Sequence, residues 1–246
     1  MEFNYDHYHI LCPKDYIQAI AEIFLLDIYR ISELIEKNDY VLDLGAGVGD
    51  FSVVASRKVG KMGKIIAVEP DIERYRLLKL NLEYNRCQNV IPLNIGVGQG
   101  PGEKELVFWN RTIRCRVDTL ENILSQLNIN HRINCIKMDI EGFEREIVTK
   151  SIKTIKDSRV ISIECHGTKE KMDEALLEYG FHFKSITMVY IYKQLIKNLF
   201  LHPINFYRVF INIINEKPHI VKTAFTGFDV TKGRHDLVVG SYTKNR

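Results

Sequence analysis

Asp43 stands two residues before three glycines at alternate positions, Gly45, Gly47 and Gly49, with Ala46 and Val48 between them. Glycine frees the backbone dihedrals and removes the Cβ, so a ligand can press against the main chain. An acid just before the first glycine repels a phosphate and suits a ligand carrying a cationic or hydroxyl-rich group. Glu69 follows about twenty residues later, before Pro70-Asp71. A carboxylate there can accept both ribose hydroxyls of an adenosine. Two further polar runs are Asp139-Ile140-Glu141-Gly142 and Glu164-Cys165-His166-Gly167. His166 is the general-base candidate, because imidazole titrates near pH 6.5 and its neutral form is available at working pH. Glu164, two residues earlier, points to the same side of an extended strand and is placed to orient it. Bland alternatives stay open at each point: a tight turn for the glycines, a solvated or capping Glu69, a helix-capping Glu141 and a satisfied polar His166. These carboxylates and His166 are an alternative set for a divalent metal, but no ligand-spaced motif is present, so no metal is assigned.

These residues need a scaffold that gathers them. Apolar runs predict strands at 40–44, 64–69, 89–94, 133–138, 160–164 and 181–186, with a last one at 237–242. Helical spacing predicts helices at 14–37, 50–59, 71 onward with a core face of Ile72, Tyr75, Leu78 and Leu82, about 119–127, 143–150 and 168–179. Asp71, Thr168 and either Asp118 or Thr119 are the expected N-caps, and Gly180 the expected terminator. Segments 104–109 and 112–117 read as a hairpin or paired edge strands. Alternation of strands and helices implies an α/β fold: a doubly wound, mostly parallel seven-stranded sheet with helices on both faces. Ligands of such sheets bind beyond the carboxyl ends of the strands, where every acidic and glycine-rich feature above falls. One domain over 1–246 is expected, with an N-terminal helical extension at 1–37. An aromatic-rich insertion or cover at 187–217 is expected as one or two helices broken near Pro203. It is a candidate substrate cover, dimer surface or membrane-surface patch.

The chain has 246 residues, 46% hydrophobic, with a formal net charge of +3. That length supports one large core, and the small basic excess argues against a dedicated nucleic-acid binder. Arg57, Lys58, Lys61 and Lys64 read as a solvated helix end and loop. The five cysteines are scattered and form no C-x-x-C pair, which gives neither a zinc site nor a disulfide framework. No signal-peptide pattern and no long apolar span is visible, so a cytoplasmic location is expected.

The glycine loop with Glu69-Pro70-Asp71 resembles a class I S-adenosylmethionine-dependent methyltransferase. The dinucleotide fingerprint would place the third glycine one residue later. Val117-Asp118-Thr119-Leu120, Ile136-Lys137-Met138-Asp139-Ile140-Glu141-Gly142-Phe143-Glu144 and Ile163-Glu164-Cys165-His166-Gly167 are similar to the FkbM-type members. There a D-x-E-G and an E-x-H end successive strands. The likeness covers about 38–186, and Gly47 stands where the family more often has Asn. It implies S-adenosylmethionine as cofactor, contacted by Asp43, Gly45, Ala46, Gly47, Gly49, Glu69, Asp71, Asn94, Gly96 and Asp139. The implied catalytic set is His166, Glu164, Asp139 and Glu141. The expected reaction is O-methylation of a small molecule or glycan hydroxyl. An RNA-modifying enzyme and a non-catalytic adenosine-ligand binding subunit are the alternatives. Nucleic acid is the less expected partner, Arg111, Arg114 and Arg116 are candidate contacts for an anionic acceptor, and homo-oligomerisation is left open.

Overall fold

The computed structural model describes residues 1–108, 111–216 and 237–244. Trp109, placed in the expected hairpin, and residue 217 lie outside that set. The chain opens with a hairpin, β1 (Glu2–Tyr5) and β2 (Tyr8–Leu11), then a 3-10 turn (Lys14–Tyr16), α1 (Ile17–Phe24) and α2 (Ile31–Leu34). The core units follow as β3 (Tyr40–Leu44), α3 (Asp50–Val59), β4 (Lys64–Val68), α4 (Ile72–Tyr84), β5 (Val90–Leu93) and β6 (Gly96–Val97). Next come β7 (Gly102–Phe108), β8 (Arg111–Asp118), α5 (Leu120–Gln126), β9 (Cys135–Met138), α6 (Glu144–Lys150) and α7 (Ile152–Ile155). The chain continues with β10 (Val160–His166), α8 (Lys169–Leu177), β11 (Phe181–Ser185), α9 (Met188–Leu201), α10 (Pro203–Glu216) and β12 (Leu237–Lys244).

Seven strands form one sheet in the order β11-β12-β10-β9-β3-β4-β5. The pairings from β10 to β5 are all parallel, and β12 runs antiparallel between β10 and β11. The order reverses at β3, which pairs with β4 on one side and β9 on the other. A cleft at the carboxyl ends of β3 and β9 is therefore expected on topology alone. Side chains alternate between two cores. Val41 and Ile65 pack on one face with α1 and α3, while Leu42, Leu44 and Ile66 pack on the other with α5, α6 and α8. A separate sheet, β6-β8-β7, contains the antiparallel hairpin of β7 and β8.

Several local expectations are corrected. The helix over 14–37 is broken, and a β hairpin precedes it. Asp27 and Arg30 have φ of 47° and 53°, and the Asp27 carboxylate accepts the Ile31 N–H at 2.6 Å and the Ser32 N–H at 3.2 Å. That capture starts a new helix instead of continuing the old one. Ile72 is 48% exposed rather than in the core, because the first turn of α4 turns it outward. Asp71 does cap α4, accepting from the Glu73 and Arg74 N–H groups, and Thr119 caps α5. Thr168 makes no cap bond; its hydroxyl donates to Glu144 at 2.9 Å instead. Glycine closes α8 as expected, with Gly180 at φ 79°. Among the described residues no helix is long and apolar enough to cross a membrane. All five cysteines are free and buried.

Candidate active site

The glycine loop bends back on itself. Gly45, Gly47 and Gly49 all have positive φ, at 75°, 57° and 89°, a region that L side chains rarely adopt. At Gly45 the constraint is doubled, because a Cβ would lie 1.9 Å from the Asp139 carbonyl oxygen. The loop thus packs directly on the end of β9. Ala46 is buried, and its N–H joins that of Gly45 on the Val68 carbonyl, each at 3.0 Å. Gly49 opens α3.

Glu69 sits across from the loop. One of its oxygens accepts the Gly47 N–H at 2.7 Å and the other the Asp71 N–H at 2.9 Å. Burial pushes its carboxyl up to about 7, opposed by the Arg74 guanidinium and the Gly47 N–H. Each oxygen still has a second lone pair for a ligand hydroxyl. Asn94 donates to the Glu69 and Pro70 carbonyls at 3.0 and 3.1 Å. It braces this turn from β5 rather than lining the cleft. Asp71 caps α4 through one oxygen and has the other 3.9 Å from Arg74, while Gly96 lines the cleft.

Asp43 is 0% exposed and does not reach the cleft. It accepts the Ser52 hydroxyl at 2.6 Å and pairs with Lys137 at 3.3 Å. The sequence reading placed Asp43 on the cofactor; in the structure its carboxylate is engaged with Ser52 of α3 and Lys137 of β9 beneath the loop. The Lys137 ammonium also donates to the Gly45 carbonyl at 2.5 Å and lies 4.0 Å from Asp139. Burial lowers its affinity for a proton, but the Asp43 and Asp139 carboxylates reverse this and carry it above the ordinary lysine value. Lys137 was not assigned to the site from sequence. Its signal was a lysine inside the apolar run of β9, since a buried charge must find partners.

Beyond β9 and β10 the acids converge on His166. Its Nδ1 lies 3.0 Å from Glu144, and its Nε2 lies 3.6 Å from Glu141 and 4.0 Å from Glu164. Glu144, fully buried, also accepts the Gly142 N–H at 2.9 Å. The orienting partner of His166 is therefore Glu144, not Glu164 as the strand spacing predicted. Glu164 accepts the Tyr29 hydroxyl at 2.7 Å, and Asp139 lies 3.2 Å from the same hydroxyl. Burial raises Glu164 well above the carboxylate range, and Asp139 adds to this. Burial lowers the His166 proton affinity; Glu144, Asp139 and Glu141 outweigh it, and the net direction is upward. One ligand atom each from Asp139, Glu164 and His166 lies within 4.8 Å of the others. Tyr29 could not be found in the sequence, because it joins Asp139 from 110 residues away and Glu164 from 135. Glu144 was visible in its motif, but nothing local marked its partner.

The cleft is lined by the glycine loop, Glu69, Arg74, Asp139, Glu141 and the hairpin residues Lys104, Leu106 and Val117, with Tyr16 at its base. Glu164 and His166 neighbour this lining, within 4.8 Å of Asp139, and His166 is 3.6 Å from Glu141. The hairpin thus contributes a wall. Arg114 pairs with Glu103 at 2.5 Å, and Arg116 is exposed. Among the described residues, α9 and α10 contribute nothing to the cleft. They pack on the N-terminal segment, with Val209 fully buried and Tyr190 donating to Asp27 at 2.9 Å. Four carboxylates (Glu69, Asp139, Glu141 and Glu146) face two cations (Arg74 and Lys104) in the lining. A negative cleft with a ribose-ready Glu69 fits an adenosine that carries a sulfonium, and disfavours a pyrophosphate.

The sequence matches the methyltransferase FkbM domain family over residues 43–183. It is 41% identical over 71 residues to ribosomal RNA large subunit methyltransferase E of Methanothermobacter thermautotrophicus, spanning 29% of this chain and 33% of that protein. It is 30% identical over 122 residues to a probable cobalt-precorrin-6B C(15)-methyltransferase (decarboxylating) of Sulfurisphaera tokodaii, spanning 46% and 58%. The chain thus spans between a third and three fifths of the length of these relatives. A putative rRNA-methylase of known structure from Clostridium thermocellum aligns with a TM-score of 0.51 over 89% of this chain and 94% of that one, at 10% identity. That likeness is one of fold. With more than half of its length in the match, the chain belongs to the methyltransferase FkbM domain family, and residues 43–183 are an S-adenosylmethionine-dependent methyltransferase domain.

Proposed function

We propose that this chain methylates a hydroxyl group on a small molecule or glycan, with S-adenosylmethionine as donor. The observation that carries the reading is the meeting of Glu69, Asp139 and Glu141 in one cleft, with His166 3.6 Å behind Glu141. When bound, the cofactor supplies an electrophilic methyl group on a cationic sulfur. Glu69 would hold the ribose hydroxyls through its remaining lone pairs, and Asp139 would face the cationic end. Methyl transfer is an in-line displacement, so most of the rate enhancement comes from positioning. The remaining need is removal of the hydroxyl proton. The Glu141–His166 pair receives it: Glu141 reaches the cleft, and Glu144 holds Nδ1 so that Nε2 faces Glu141.

A second reading, methylation of RNA, is favoured by the ribosomal RNA methyltransferases among the relatives. The sequence-based view that nucleic acid is the less expected partner gains no support from them. Methyl-labelled S-adenosylmethionine should be supplied with pooled hydroxylated metabolites and glycans, and separately with total RNA. Label in the first pool is the expected result. Label confined to RNA would replace the hydroxyl-metabolite reading with the RNA one.

A further inference from the structure

We propose that Asp139, Glu164 and His166 form a binding site for a divalent cation of the magnesium–manganese class. The three come from the ends of adjacent parallel strands, β9 and β10, so the sheet fixes their spacing. One ligand atom from each falls within 4.8 Å of the others, close enough for a single ion to collect them after small side-chain rotations. Two carboxylates and one imidazole suit a hard or borderline cation.

The surroundings point the same way. A ligating histidine almost always donates its other ring N–H to a carboxylate or carbonyl. His166 has that arrangement, with Nδ1 3.0 Å from Glu144 and Nε2 turned toward the acids. Glu144 is itself clamped by Thr168 and the Gly142 N–H. The Tyr29 hydroxyl donates to one oxygen of Glu164 at 2.7 Å, which leaves the other oxygen on the side of Nε2, and lies 3.2 Å from Asp139. Charge supplies a separate argument. Asp139, Glu141 and Glu144 crowd the His166 ring, and the nearby lysine, Lys137, is already engaged by Asp43 and the Gly45 carbonyl. Such an excess of negative charge at low dielectric strongly favours a bound cation.

The site stands on these contacts; its part in catalysis rests on the methyl-transfer reading. Asp139 lines the cleft, so open coordination positions would face the acceptor. There the cation would polarise the acceptor oxygen. The hydroxyl proton passes to the Glu141 carboxylate, with His166 then serving as ligand. An oxygen lone pair forms the new bond to the methyl carbon, and the carbon–sulfur bond breaks with its electrons going to sulfur.

The test is titration of chelator-treated full-length chain with MnCl2, following the electron paramagnetic resonance signal of free Mn(II). One ion per chain is expected at concentrations below about 1 mM, displaced by excess MgCl2. Glu164→Gln and His166→Asn should each weaken binding at least tenfold, and Glu144→Gln roughly 10–100-fold. S-adenosylhomocysteine calorimetry on the same preparations checks that each variant is folded. No Mn(II) binding in this range, or affinity unchanged by both ligand variants, would overturn the site. S-adenosylhomocysteine binding without Mn(II) binding sinks the cation site alone. Mn(II) binding without any S-adenosylhomocysteine binding sinks the methyl-transfer reading and leaves the cation site standing.

Discussion

Replacing Glu69 with Gln keeps the size of the side chain and removes its charge. In the structure both oxygens must accept, one from Gly47 and one from Asp71. Glutamine has one acceptor oxygen and one donor nitrogen. Whichever way it is flipped, a backbone N–H meets an amide N–H, at a cost of about 1–3 kcal/mol. The loss has an offset. Burial raises the native carboxyl from 4.5 to about 7, so keeping it ionised above neutral pH already costs ~3 kcal/mol. Removing the charge relieves that cost, and folding stability at pH 8 should change little. Cofactor affinity has no such offset. Losing one hydroxyl bond to a charged acceptor costs about 1.5–3 kcal/mol, or roughly 10- to 150-fold in affinity. The pH dependence sharpens the test. Between pH 4.5 and about 7 the folded chain holds a proton that the unfolded chain releases, so this group's contribution to folding declines as pH rises through that window. Affinity runs the other way, because only the ionised form accepts two hydroxyls. Wild-type affinity for S-adenosylhomocysteine should fall about tenfold per pH unit below 7, while Glu69→Gln stays flat. Calorimetry across pH 5.5 to 8.5 reads both. A variant affinity within threefold of wild type at pH 8, or a flat wild-type profile, would refute the placement of Glu69 on the ribose.

Gly45→Ala should destabilise far more than Gly180→Ala, although their φ values are alike at 75° and 79°. The second pays only the left-handed strain, about 1–2 kcal/mol; the first also drives a Cβ into the Asp139 carbonyl, for a total of ~2–5 kcal/mol. Equal losses in urea denaturation would contradict the close packing of the loop on β9. Lys137→Met strands the buried Asp43 carboxylate and should cost ~3–5 kcal/mol. The double variant with Asp43→Asn should recover part of that loss, and a purely additive double-mutant cycle would argue against the pair.

Much of the scaffold was legible because its signals are local. The apolar runs of β3, β4 and β9 needed only the alternation of a parallel sheet buried on both faces. The glycine loop carried its own turn chemistry, and Asp71 and Thr119 were readable as caps because a cap binds N–H groups two or three residues ahead. The failures share a different cause. Thr168 had the right type for a cap, but Glu144, 24 residues distant, claimed its hydroxyl. The apparent helix over 14–37 had the right periodicity, but Asp27 offered its carboxylate to a new helix start.

The residue types at the strand ends, and hence the cofactor class, were set within the chain's local stretches. Turn geometry and strand length place a side chain at the cleft regardless of what lies opposite. Which acid faces ligand, cation or core was decided only by folding. Asp43 is withdrawn because Lys137 arrives on the neighbouring strand. His166 is aimed by Glu144 and fenced by an acid that Tyr29 holds from the N-terminal segment. Those partnerships form between segments distant in sequence, where burial makes every unpaired charge costly and each group takes whichever partner packing brings within reach.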